Sequence, residues 1–128
     1  MAGAKHFREL ICWQLAREFK LRVYELSDAS EVKKDLRFRD QLRDAAASAP
    51  RNIAEGFGRR TPRDFARFLD VARGSLMECQ NRLQDAVDRK YLTLEDFASL
   101  ETLARRACGS IAGLQRYLRR AYGLTADR

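Results

Sequence analysis

Apolar residues recur every seven positions throughout the second half of the chain. Between residues 62 and 90 the two repeating series are Leu69, Leu76 and Leu83, and Phe65, Ala72, Cys79 and Ala86. Between residues 94 and 122 they are Phe97, Ala104, Ile111 and Leu118, and Leu100, Ala107, Leu114 and Ala121. This spacing places each pair of series on one face of an α-helix. Because no long segment alternates polar and apolar residues at period two, we expect no β-strand.

Four helices are predicted, at about residues 7–26, 36–57, 62–90 and 94–122. Ser27 and Asp28 are expected to break the first. Thr61 and Thr93 are suited to cap the third and fourth, and Gly123 to end the fourth. We expect Gly56 and Gly58 to end the second helix by adopting positive φ.

The predicted helices fit one domain over residues 1–128. The connection at Tyr91-Leu92 is so short that the third and fourth helices must be antiparallel neighbours. The sequence therefore predicts an all-α, antiparallel up-down-up-down four-helix bundle.

Residues 48–60 depart from an ordinary amphipathic helix. Pro50 removes a backbone donor within helix-forming sequence, which costs about 3 kcal/mol in a helix interior. We expect Asn52 to satisfy backbone groups freed by Pro50 or to reach a neighbouring helix, and Glu55 to meet Arg51 or Arg59. At Gly74-Ser75 we expect a close helix approach, within the bundle or between subunits.

Together with flanking residues, this run resembles the four-helix-bundle proteins of the 23S rRNA intervening-sequence family. The signature positions are Trp13, Gln41, Arg43, Ser48, Pro50, Asn52, Ile53, Ala54, Glu55, Gly56, Gly58, Arg59, Phe68, Leu69, Ala72, Gly74 and Ser75. The chain departs from the family pattern at Ala49, at Asp44 and at Arg89-Lys90, where a glycine commonly precedes the Tyr-Leu pair. The resemblance implies a fold but no defined reaction.

Basic residues outnumber acidic ones by 25 to 18, and they are clustered. Residues 51–63 contain four arginines against Glu55, and residues 104–128 contain six against Asp127. In an up-down-up-down bundle both clusters reach one end, together with Lys5 and Arg8. Such a surface suits RNA or DNA phosphates without sequence specificity. The predicted nucleic-acid-binding residues are Arg51, Arg59, Arg60, Arg63, Arg116, Arg119 and Arg120. Alternatively, these arginines only complement helix dipoles and keep the protein soluble.

Catalytic and metal chemistry is not indicated. Cys12, Cys79 and Cys108 are widely spaced and form no CxxC pair, so we expect buried, unreactive thiols. The single His6 lies near an N-terminus that we expect to be mobile and uninvolved. We therefore predict a non-enzyme without metal or cofactor. No apolar stretch is long enough to span a membrane and no signal peptide is recognisable, so the expected location is the cytoplasm.

An oligomer is expected on two grounds. The apolar residues of the first helix cover more than half its circumference, which favours a second buried face. The resemblance implies the same, because related accessory proteins of diversity-generating retroelements look like homopentameric rings that engage nucleic acid and a reverse transcriptase. The leading hypothesis is an oligomeric nucleic-acid-associated scaffold. The alternative is an accessory subunit whose basic end docks a reverse transcriptase or another acidic protein.

Overall fold

The computed structural model describes residues 3–125, and within this range every regular element is helical. Four α-helices are present: α1 (Ile11–Ala29), α2 (Leu36–Phe57), α3 (Pro62–Asp88) and α4 (Leu94–Tyr122). Short 3₁₀ helices at Phe7–Glu9 and Glu31–Lys34 precede α1 and α2. None of the helices in the described range is both long and apolar enough to cross a membrane.

The first α-helix begins later than predicted, because Leu10 leaves the helical conformation. Residues Phe7–Glu9 form a separate 3₁₀ turn, capped by reciprocal contacts of His6 and Glu9. Leu10 is extended, with ψ 127°, and its side chain is buried. Burying this leucine interrupts the helix, which resumes at Ile11. His6, which we expected to lie in a mobile segment, therefore caps a defined turn.

The end of α1 also differs from the prediction. Ser27 and Asp28 do not break the helix, which continues to Ala29. The buried Ser27 hydroxyl donates to the carbonyl of Tyr24 at 3.0 Å, so its polar group is satisfied inside the helix. The chain turns at Ser30, whose side chain caps the second 3₁₀ turn by accepting from the Val32 amide.

The predicted caps of α3 and α4 are confirmed. The Thr61 side chain accepts from the Asp64 amide and the Thr93 side chain from the Asp96 amide, each at 3.1 Å. Gly123 ends α4 with φ 64°. Each hydroxyl satisfies a backbone donor that has no partner in the first turn of its helix.

The prediction that Gly56 and Gly58 adopt positive φ was wrong. Gly58 follows α2 with φ −79°, and Gly56 lies inside the helix. Gly56 is buried where α3 approaches closely: a Cβ there would lie 2.6 Å from Cβ of Phe68 and 3.0 Å from Cδ1 of Phe65. The position therefore excludes a side chain for reasons of packing.

The third helix ends at Asp88, slightly before the predicted end. Lys90 adopts φ 62°, and the Tyr91 amide donates to the Ala86 carbonyl at 2.7 Å. The Lys90 amide donates to the Val87 carbonyl. This pair of bonds is a Schellman motif, which reverses the chain at a left-handed residue.

Each α-helix packs against two others. The contacts join α1 with α2, α2 with α3, α3 with α4 and α4 with α1, and those between α2 and α3 are the most extensive. The side-chain contacts between α2 and α3 pair increasing residue numbers of α2 with decreasing residue numbers of α3. Asp35 contacts Arg89, Gln41 contacts Arg82, and Ser48 contacts Ser75.

The core follows the heptad series closely. All members of the α3 series are buried, as are Leu100, Ala104, Ala107, Ile111 and Leu118 of α4. Phe97 and Leu114 are half-buried, and Ala121 is exposed in the last turn, beyond the packed part of the bundle.

The surplus apolar face expected on α1 is smaller than predicted. Trp13 and Leu15 pack partly against the core, and the ring of Tyr24 is covered by the Arg43 guanidinium at 4.3 Å. Of its large apolar residues, Ile11 and Leu21 remain exposed. The apolar surface that α1 leaves for a partner subunit is correspondingly small.

Candidate nucleic-acid interface

Two segments that are distant in sequence, the N-terminal segment and the start of α3, pack against the second half of α4. The N-terminal segment and the second half of α4 line a common groove, which includes Ala4, Leu10, Gly113 and Tyr117. The start of α3 and the end of α4 line a narrow cleft nearby. We call this region the basic end. Its cationic residues are Lys5, Arg8, Arg59, Arg60, Arg63, Arg116, Arg119 and Arg120.

Two of the predicted arginines lie where the start of α3 packs against the end of α4. Arg63, in the first turn of α3, and Arg119, near the end of α4, line the same narrow cleft. The Thr61 cap fixes where α3 begins, and Gly123 fixes where α4 ends. These caps therefore help to place Arg63 and Arg119, which are distant in sequence, at the same cleft.

Most predicted arginines lack an acidic partner. Within residues 3–125, no carboxylate lies within the 4.0 Å salt-bridge distance of Arg51, Arg60, Arg63, Arg116, Arg119 or Arg120. All six are exposed except Arg119, which is half-buried. By contrast, Arg39, Arg43, Arg82 and Arg89 are paired elsewhere in the bundle. The charges of these six arginines are thus not neutralised by direct ion pairs within the described residues.

Arg59 is the exception among the predicted residues. Its Nη2 atom lies 3.1 Å from Oε1 of Glu55, and its guanidinium lies 4.6 Å from the centre of the Phe68 ring. This confirms the expectation that Glu55 meets Arg51 or Arg59, and Arg59 is the partner. An exposed pair of this kind is worth only about 0–1 kcal/mol, so a phosphate can compete for Arg59.

Arg51 and Arg116 lie farther from the extreme end. Each precedes the last residue of its helix by six positions, or ~9 Å at 1.5 Å per residue. Arg51 is on the outer side of α2. The Nη2 atom of Arg116 lies 3.7 Å from the position that a Cβ on Gly113 would occupy, so its guanidinium extends along α4 toward the groove.

Gln115 is a buried polar residue that the sequence analysis missed. Its Nε2 atom donates to Oδ1 of Asp70 at 2.6 Å and to the Ala66 carbonyl at 3.3 Å. Its Oε1 atom accepts from Arg73 at 3.1 Å. These bonds join α4 to α3 at the cleft that Arg63 and Arg119 line. The sequence feature that could have revealed this residue is its spacing. Gln115 lies four positions after Ile111 and three before Leu118, on the apolar face of α4.

Of the two roles expected for Asn52, the structure shows the link to the neighbouring helix, and this link is indirect. Its Nδ2 atom donates to the carbonyl and the hydroxyl of Ser48, at 2.8 and 3.0 Å. Pro50 leaves the Ala46 carbonyl without its usual donor, and Asn52 does not supply one. The Ser48 hydroxyl lies 2.8 Å from that of Ser75 in α3, so Asn52 is linked to the neighbouring helix through Ser48.

Other signature residues also contribute to the contact between α2 and α3. Gln41 accepts from Nη1 of Arg82 at 3.1 Å, and Pro50 is buried in α2. Trp13 instead packs near Phe7, with ring centres 5.2 Å apart. Among residues 3–125, the close approach expected at Gly74 is absent, because a Cβ there would meet no atom within 4 Å.

The thiols and the histidine occupy structural positions. Burial raises the pKa of the Cys12 thiol to about 11 and that of Cys79 to about 12. Burial also raises the pKa of the half-buried Cys108. The ring of His6 accepts from the Arg8 amide as a cap. In the described range, no three His, Cys, Asp or Glu side chains are grouped so that they could hold a metal ion.

Comparison with known families identifies the family of the chain. The sequence profile described as 23S rRNA-intervening sequence protein matches residues 8–113, which is most of the chain. The chain belongs to this family. A comparison with curated proteins finds no match. The family match ends before Arg116, Arg119 and Arg120, so family membership does not extend to these arginines.

Proposed function

We propose that this intervening-sequence family protein is a non-catalytic, oligomeric scaffold that binds the backbone of RNA or DNA through its basic end. The observation that carries the proposal is the group of exposed arginines without carboxylate partners at that end. A phosphate chain can occupy several of them without first breaking internal ion pairs, and each contact releases counterions.

The proposed arrangement of the helices is up-down-up-down. It is supported by the opposite order of the contacts between α2 and α3, and by the contact of Gln115, late in α4, with Ala66 and Asp70, early in α3. This arrangement brings the start of α1, the turn before α3 and the end of α4 to one side. The basic end then presents a single surface to a polyanion.

We further propose that binding has little sequence specificity and no associated reaction. Arginines on solvated helix ends suit phosphate oxygens, whereas reading bases in a groove requires side chains placed along their edges. Thiols with raised pKa values are poor nucleophiles at neutral pH, and the histidine is held as a cap.

Subunit association is proposed to use the outer face of α3. Val71 and Met77 are exposed there, on either side of Gly74, where there is open space for another helix. The likeness to homopentameric accessory proteins favours five subunits. Cyclic symmetry would place every basic end on the same side of the ring, so a nucleic acid could contact several subunits.

The experiment is binding of RNA and DNA as a function of salt concentration. Replacing Arg60, Arg63, Arg116 and Arg120 with glutamine is expected to abolish most binding and to lower the salt slope for single strands by up to ~3. These side chains have no carboxylate partner in the described range, so helicity and oligomer size should be unchanged.

The matched control replaces Lys33, Arg37, Lys90 and Arg106 with glutamine. These residues are exposed, have no salt-bridge partner among residues 3–125, and lie away from the basic end. Equal loss of affinity in both variants would show that only net charge matters. If the unmodified protein binds neither RNA nor DNA at low salt, the proposal fails, and docking of an acidic protein such as a reverse transcriptase becomes the function to test.

A further inference from the structure

A groove adjoins the basic end, between the N-terminal segment and α4. Its volume is about 510 Å³, within the range of ~300–1,000 Å³ that is usual for sites of small organic molecules. Its lining includes the side chains of Leu10, Ile11, Leu114 and Tyr117. The groove thus offers apolar surface beside a region that is otherwise strongly cationic.

Two of these side chains are accessible to a ligand. Ile11 is 62% exposed and Tyr117 is 37% exposed. An accessible aromatic ring is a stacking surface for a nucleobase, and stacking tolerates any base because every base has a flat π-face. The Ile11 side chain can contact the edge or the opposite face of such a base.

The charges around the groove suit a nucleotide. Arg116 reaches along α4 to Gly113, which lines the groove, and no carboxylate in the described range lies within salt-bridge distance of it. Glu9 also lines the groove. Its Oε2 atom accepts from the backbone amides of Lys5 and His6, at 2.9 and 2.8 Å, so this carboxylate is engaged in capping the 3₁₀ turn.

We propose that the groove receives one nucleobase of a single-stranded nucleic acid, stacked on Tyr117, while Arg116 holds a neighbouring phosphate. This inference rests on the proposed function and narrows its ligand to single strands. In a duplex the bases are paired and stacked on one another, so they are unavailable to Tyr117 unless they are flipped out.

The test compares three ligands of equal length, about 12 nucleotides: a single-stranded oligothymidine, a chain in which every base is replaced by an abasic site, and a duplex. The abasic chain keeps the phosphates and removes stacking. The oligothymidine should bind at least about fivefold more tightly than the abasic chain. Tyr117→Ala should remove this difference and leave the affinity for the abasic chain and the duplex unchanged.

Three variants make the result specific. Tyr117→Phe keeps the ring and should keep the difference, whereas Tyr117→Leu keeps apolar area without the ring and should lose it. Tyr122→Ala removes an exposed aromatic residue of α4 that does not line the groove, and it should behave as the unmodified protein. Circular dichroism verifies that each variant remains helical.

The outcomes separate the base site from the proposed function. Equal affinity of the unmodified protein for oligothymidine and the abasic chain overturns the base site, as does an equal effect of Tyr117→Ala and Tyr122→Ala. In both cases phosphate binding at the basic end is retained. Failure of all three ligands to bind overturns the proposed function and this inference together.

Discussion

Lys90 occupies a backbone conformation that suits glycine better than lysine. Its φ of 62° places it in the left-handed region, between the end of α3 and the chain that leads to α4. In this region the Cβ of an L-residue crowds the following carbonyl oxygen, at a cost of about 1–2 kcal/mol. A glycine at this position would avoid this cost.

Lys90→Gly is therefore expected to stabilise the protein by about 0.5–1 kcal/mol. This is the backbone strain that the substitution relieves, reduced by the larger conformational entropy that glycine loses on folding. Chemical denaturation at fixed protein concentration measures the change. Lys90→Ala removes the same charge but keeps a Cβ, so it should give little of the gain. Equal stability of the two variants would contradict the strain attributed to the φ of Lys90.

Single polar residues were the hardest to predict from the sequence. Gln115 was recognisable as a polar residue within an apolar pattern. Its partners Asp70 and Arg73 lie in another helix, however, and their identity depends on how α3 and α4 pack. Similarly, Asn52 and Ser75 were recognisable as signature residues, but their connection through the Ser48 hydroxyl required the register of α2 against α3.

At the scale of helices, the contact between α2 and α3 depends on the absence of a side chain at Gly56. The neighbouring atoms belong to Phe65 and Phe68, and one of them is a Cβ that cannot move without its backbone. The two helices are joined by a short turn, so neither can shift far to accommodate an added methyl group. The glycine is therefore part of the packing of these two elements.

Gly56→Ala should destabilise the protein by about 1–3 kcal/mol, because overpacking outweighs the better helix propensity of alanine. The control is Gly109→Ala in α4, where a Cβ would meet nothing within 4 Å. That substitution should stabilise by about 0.5–1 kcal/mol through propensity alone. Thermal unfolding followed by circular dichroism compares the two, and a stabilised Gly56→Ala variant would contradict the close approach.

The helices themselves were largely predictable, and their ends only partly so. Heptad spacing and the Thr61 and Thr93 caps are local signals, and they specified the start of α3 and the whole of α4. The predicted bounds of α2 also agree with the structure. The break at Leu10 and the continuation of α1 through Ser27 depend on burial of those side chains in the assembled core. The local sequence does not specify such tertiary packing.

For the molecule as a whole, the outer face of α3 is one of the surfaces that carry exposed apolar residues outside the core. Val71 and Met77 are about half or more exposed, at 48% and 60%, on the same face as Gly74. Exposed apolar residues grouped on one helix are typical of an association surface.

We expect the protein to sediment as a closed oligomer, most simply a pentamer, at micromolar concentration. Val71→Glu combined with Met77→Glu should shift it to the monomer while leaving helicity intact, because both side chains are outside the core. Leu36→Glu combined with Leu94→Glu changes two other exposed apolar residues and should leave assembly unchanged. A monomeric unmodified protein would refute the oligomer.

The extensive pairing of α2 with α3 also bears on how the chain folds. These helices follow each other directly in sequence, so closing the turn between them loses little chain entropy. The contacts of α1 with α4, in contrast, join the two ends of the chain and form only after a much longer loop has closed. Folding should therefore begin with the hairpin of α2 and α3, and the basic end, which needs both termini in place, should be completed last.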